Sequence, residues 1–215
     1  MDRRKLLASM SAGGMVAFTG CTDPLFTIIN SCSHSIPDRQ ESSASDGFPT
    51  ISVSEEMPKQ IRDEYSAAVW VDQQYSSQEL AKLQIEVINN QNSTQENSWG
   101  PTPPFSGYRG EQINGEGVLW VVPSPPTGPH AGITHVDTAQ KDYDPDEELS
   151  APIEGCWKIE GVGYNSIARR RTVDPCASLT QKYLVYADAT TGECILPGEY
   201  RFKSEHWEFT LDVEE

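Results

Sequence analysis

Trp207, Phe209, Leu211 and Val213 alternate with Glu208, Thr210 and Asp212, and this period of two limits the kind of structure the chain can build. Successive side chains of a strand point to opposite faces, so the run demands a strand with one buried and one wet face. Leu83-Gln84-Ile85-Glu86-Val87 repeats the pattern, and Asn89-Asn90-Gln91-Asn92 stops it. Shorter alternating or apolar runs lie at 51–53, 67–71, 118–122, 156–159, 183–186 and 199–202. Proline-rich stretches at 100–104 and 123–129 fall between them; proline has no amide proton to donate, so these read as loops or edges. Short strands with such punctuation predict an all-β, antiparallel sandwich. The one helical pattern, 54–64 with Ser54 as its cap, is limited to a turn or two by Pro58.

The amino terminus sets the compartment in which that sandwich is expected to reside. Arg3, Arg4 and Lys5 precede an apolar stretch at 6–18 and the small residues before Cys21, the parts of an export signal. At ~1.5 Å per residue the apolar stretch covers about 20 Å, short of the ~30 Å hydrocarbon core, and Ser9, Ser11, Gly13 and Gly14 weaken it further. The paired Arg3 and Arg4 resemble a twin-arginine signal, and Phe18-Thr19-Gly20-Cys21 resembles a lipobox, which makes Cys21 the lipidated first residue of the mature chain. A single acyl chain binds a membrane only marginally, so anchoring implies two or more on that cysteine. The expected organisation is a signal peptide at 1–20, a lipidated cysteine and flexible spacer at 21–49, and the sandwich at 50–215.

Without residues 1–20 the chain holds 13 basic and 31 acidic residues, a formal charge of −18. Such a surface repels nucleic acid and anionic lipid, and self-repulsion is tolerable where salt screens it over a few ångströms. With only seven lysines in the whole chain, this reads as adaptation to molar salt, and with the export signal it points to a halophilic archaeon. Beyond Cys21 four cysteines remain, Cys32, Cys156, Cys176 and Cys194; an even number outside the cell predicts two disulfides. Three connectivities are open, with Cys156–Cys194 favoured because each flanks a candidate core strand. No close Cys pair and no histidine at ligand spacing favours zinc.

Few patterns carry chemistry. His130, His135 and Asp137 lie within eight residues but lack a defining geometry. The acidic run 142–148 fails the calcium-loop template, with Glu147 where glycine belongs and Ile153 where the bidentate glutamate belongs. Arg169, Arg170 and Arg171 are the one concentration of positive charge, expected to pair with local carboxylates on a strand or hairpin; three arginines do not sustain nucleic-acid affinity. Asn92-Ser93-Thr94 is a glycosylation sequon in a polar loop. No nucleophile elbow or phosphate-cradling glycine loop is present, His34 falls in the spacer, and His206 opens the last strand. The expectation is no enzyme, no cofactor and no metal.

Leu83-Gln84-Ile85-Glu86-Val87-Ile88, Trp99-Gly100-Pro101-Thr102-Pro103-Pro104-Phe105, Gly155-Cys156-Trp157 and Cys194-Ile195-Leu196-Pro197-Gly198-Glu199-Tyr200 together resemble the exported immunoglobulin-like lipoprotein domains of haloarchaea. More distantly, Leu-Pro-Gly-Glu-Tyr resembles an element of bacterial proteinase-inhibitor sandwiches. The chain departs from these in its polar insertion at 90–98 and in Cys176. The resemblance implies an immunoglobulin-like antiparallel β-sandwich held on the outer face of the cell membrane, binding an unknown surface protein or polymer. Alternative functions are protease inhibition through the loop 123–129, or a solute-binding accessory lipoprotein; 190-odd residues are short for two lobes around a cleft.

Overall fold

A computed structural model describes residues 32–34, 36–37, 44, 47–54, 59–61, 64–100, 104–124, 133–136, 156–164, 168–191, 194–204 and 207–215, with 133–136 and 161–164 described by backbone alone. Its strands are β1 (Thr50–Val53), β2 (Lys59–Gln60), β3 (Tyr65–Gln73), β4 (Lys82–Asn89), β5 (Gln95–Trp99), β6 (Tyr108–Gln112), β7 (Val118–Ser124), β8 (Ile133–Val136), β9 (Lys158–Ile159), β10 (Gly161–Tyr164), β11 (Arg169–Val173), β12 (Ser178–Asp188), β13 (Gly198–Lys203) and β14 (Glu208–Glu214). The helical pattern is not realised at Lys59–Gln60, which pairs with Ala67 and Ser66 as β2; positions 55–58 lie outside the described residues.

One sheet runs in the order β1-β14-β13-β6-β7-β12-β4-β3-β2, with β9 beside β12. Neighbours along this path pair antiparallel, and only β9 joins in parallel. The path curls until β1 returns against the end of β3. There the Gln74 side chain accepts from the Ile51 amide through Oε1 at 2.8 Å and donates to the Ile51 carbonyl through Nε2 at 2.7 Å. A side-chain amide thus satisfies backbone groups that an open edge would offer to another chain. The fold is the antiparallel sandwich that the alternating runs predict, its layers being parts of one curled sheet.

Tyr65, Ala67 and Val69 of β3 and Leu83, Ile85 and Val87 of β4 point inward and are buried, as are Tyr200 and Phe202 of β13 and Phe209, Leu211 and Val213 of β14. Burying each large apolar side chain stabilises the fold by about 1.5–3 kcal/mol. Phe202 stacks on Phe209 at 4.9 Å, and Gly110 of β6 leaves the space, since a Cβ there would lie 2.5 Å from the Phe202 ring. The Tyr200 hydroxyl donates to the Leu196 carbonyl at 2.8 Å, four residues upstream, the corner contact used by immunoglobulin-like sandwiches. Pro123 falls inside β7, but β6 ends opposite Val121, so it sits where β7 has one neighbour. Where β4 ends opposite Leu184, β9 takes its place beside β12. Cys194 is bonded to Cys156, just before β9, with Cα atoms 5.6 Å apart.

Candidate functional site

The second disulfide joins Cys32 to Cys176, Cα to Cα 5.1 Å, across 144 residues of sequence. Cys176 lies in the turn between β11 and β12, where the Ala177 amide donates to the Asp174 carbonyl at 3.0 Å. Its φ of 57° is in the left-handed region, uncommon for a residue with a side chain. Asn89, at the end of β4, organises the surroundings. Its backbone carbonyl accepts from the Cys176 amide at 3.0 Å and its amide donates to the Ala177 carbonyl at 3.1 Å. Its side-chain Nδ2 donates to the carbonyls of Ser93 and Val173, each at 2.9 Å, and its Oδ1 accepts from the Gln91 amide at 2.9 Å.

Two residues after Cys32, His34 lies against the outward side of β3 and β4. Ser66 opposes Ile88 and Ala68 opposes Glu86, so Ser66 and Glu86 share the face opposite Ala67, Ile85 and Val87. His34 Nδ1 is 3.0 Å from Glu86 Oε2 and Nε2 is 2.8 Å from Ser66 Oγ. The His34 and Glu86 side chains are only 2% and 6% exposed. With the proton on Nδ1, the ring donates to Glu86 and accepts from the Ser66 hydroxyl. That is the hydroxyl–imidazole–carboxyl order of a nucleophilic triad. The ring is sealed from solvent, and neither His34 nor Ser66 lines the cavity found at the end of the sandwich. The arrangement acts as a lock that holds the segment after Cys32 on the sheet.

Burial lowers the His34 pKa below its ordinary value of 6.5, against the opposing pull of Glu86. A folded pKa below the unfolded one means that the unfolded chain binds more protons in that window, so stability rises with pH there. The contribution of the lock is complete above 6.5 and declines as pH falls below it. His34→Gln should therefore cost about 1–3 kcal/mol in neutral buffer. The gap to the wild type should narrow on acidification in paired thermal melts; a gap that widens would contradict this.

A cavity of about 230 Å³ lies among Ile61, Trp99, Phe105, Ser106, Tyr108 and Ser204. Its aromatic floor is held edge-on and stacked: Tyr65 meets Trp99 at 5.3 Å and Phe105 stacks on Trp207 at 5.3 Å. The Tyr183 hydroxyl fixes this loop by donating to the Phe105 carbonyl at 2.8 Å. Ser106 Oγ in the lining, and the indole N–H of Trp207 outside it, are buried without a hydrogen-bond partner among the described residues. Chemically the cavity suits an apolar or ring-bearing group carrying an oxygen acceptor.

The predicted site residues divide into two sets. Arg3, Arg4 and Cys21 lie outside the described residues, as do His130, Asp137, the acidic run 142–148, positions 125–129 and His206; His135 is described only as backbone in β8. Cys156 and Cys194 pair as favoured, leaving Cys32 with Cys176. Asn92 is exposed in the bend after β4. Arg169 to Arg171 form β11 against β5, and Arg170 pairs with Glu96 at 3.4 Å between exposed side chains, worth about 0–1 kcal/mol. Among the described residues no cluster of three or more histidine, cysteine or acidic side chains is placed to hold a metal, and no helix is long and apolar enough to cross a membrane. The lock at His34 has no sequence signal of its own, because its three residues come from separate segments with no shared spacing. No family model, no curated protein and no solved structure matches the chain.

Proposed function

We propose that this protein is an exported, lipid-anchored binding module of the outer membrane face of a halophilic archaeon, contacting a surface protein or polymer. The observation that carries the reading is the pairing of Cys32 with Cys176 and Cys156 with Cys194, which uses every cysteine beyond Cys21. Structural disulfides persist in oxidising compartments and are rare in the cytosol, so the pairing agrees with an amino terminus that has the layout of an export signal ending at Cys21. The charge of −18 after removal of 1–20 supports life in concentrated salt. The aromatic cavity at Trp99 and Phe105 supports a binding role, since its lining is largely apolar and includes Ser106, whose Oγ has no hydrogen-bond partner among the described residues.

Cys21→Ser in the producing cell tests the anchor. Most of the protein should move from the membrane fraction to the medium or accumulate with its signal attached. Unchanged fractionation would reject lipidation at Cys21.

A further inference from the structure

Strand directions place Cys32 and Thr50 at opposite ends of the sandwich. Tyr65, where β3 begins, pairs with Asn89, and Asn89 is hydrogen-bonded to the Cys176 turn that carries Cys32. Eight residues later, at Gln73, β3 ends, and just past it Gln74 holds Ile51 of β1. Thr50 in turn pairs with Glu214, the last residue of β14, whose other end lies at Glu208 beside Lys203. At about 3.3 Å per residue, the nine residues of β3 separate the two ends by roughly 30 Å.

A tether running from Cys21 can reach the sandwich at either end. Without the Cys32–Cys176 bond and the His34 contacts that accompany it, the first strand is β1 at Thr50, 29 positions on, which allows about 100 Å of extended chain. With the bond, attachment comes 11 positions on, within about 40 Å, and at the opposite end. The left-handed Cys176, the Asn89 hydrogen bonds and the sealed His34–Glu86 pair all brace that attachment.

We propose that the Cys32–Cys176 clasp sets the orientation of the sandwich on the lipid surface, turning the Cys176 end, with the Asn89–Ser93 bend and the β5–β11 ribbon, toward the bilayer. The inference rests on lipid anchoring at Cys21. The opposite end, with the exposed β6–β7 turn at Ile113 to Glu116, then faces away from the membrane. The aromatic cavity shares the membrane-facing end through the Tyr65–Trp99 contact, so its occupant is met close to the bilayer.

The test uses the full, lipidated chain in its own membranes, with a clickable dye on p-azidophenylalanine at Ser93 or at Glu116 and an acceptor dye on lipid. Energy transfer from position 93 should be at least about twofold that from position 116, given ends roughly 30 Å apart. In Cys32→Ser with Cys176→Ser the difference should shrink or invert. A second variant, with a Gly-Ser segment of about twenty residues inserted before Ser31, keeps the clasp and the fold while lengthening the tether; transfer from both positions should fall and the difference should narrow. Protein absent from the membrane fraction would overturn the anchoring and the orientation together. Membrane-bound protein with equal or greater transfer from 116, or a difference unchanged by the insertion, would overturn the orientation alone.

Discussion

Serine at both Cys32 and Cys176 is expected to lower the stability of the sandwich by about 2–5 kcal/mol and its Tm by roughly 5–15 °C. The bond spans 144 residues, so in the unfolded chain it removes more freedom than the Cys156–Cys194 bond, which spans 38. The chain-entropy difference between the two loops is about 1 kcal/mol, which makes the first removal the more costly. A local effect adds to it. Glu86 and Ile88 lie on the outward face of β4 yet are buried, and His34 is the Glu86 partner held there by Cys32. Calorimetry on both double-serine variants checks the order. A smaller loss for Cys32 and Cys176 than for Cys156 and Cys194 would contradict the clasp as the main staple.

Asn89→Ala is the second large effect, a loss of about 3 kcal/mol from a substitution that removes no apolar surface. The side chain is wholly buried and makes three hydrogen bonds to backbone groups of Ser93, Val173 and Gln91. Removing it strands the buried Val173 carbonyl and releases the turn that presents Cys176. Asn90→Ala is the control. Asn90 is half-buried and, among the described residues, its side chain has one hydrogen bond, with the Ser66 hydroxyl at 3.4 Å, so the loss should stay under about 1 kcal/mol. Urea unfolding of the two variants separates them, and equal midpoints would remove Asn89 from the account.

Where a strand buries one face, its residues announced it. β14, β4 and β3 lie on the runs ending at Val213, Ile88 and Val71, with the bounds moved by one or two residues. β5 gave no such signal. Gln95, Glu96, Asn97 and Ser98 are all polar, and they form a strand because β11 supplies the ladder and the Tyr65 hydroxyl accepts from Asn97 Nδ2 at 2.7 Å. The polar insertion at 90–98 is thus half a ribbon. Lys59–Gln60 failed in the other direction: an acidic, cap-like start suggested helix, whereas pairing with Ala67 and Ser66 decided for strand. The disulfide chemistry was legible in the cysteine count, and the favoured Cys156–Cys194 pair rested on flanking strands. The lock at His34 was not, because a lone histidine in a Ser-rich stretch shows nothing of the Glu86 and Ser66 that close around it.

One tryptic peptide carries both halves of the account. No lysine or arginine lies between Cys21 and Arg39, so digestion of membrane-extracted protein without reduction should release 21–39 with a lipid on Cys21 and, through Cys32, a disulfide to 172–182, which contains Cys176. Mass spectrometry should find that linked, lipidated species, and reduction should split it into its two peptides. Recovery instead of a peptide running from Leu6 through an unmodified Cys21 to Arg39, with the Cys32 thiol free, would contradict both the anchor and the clasp.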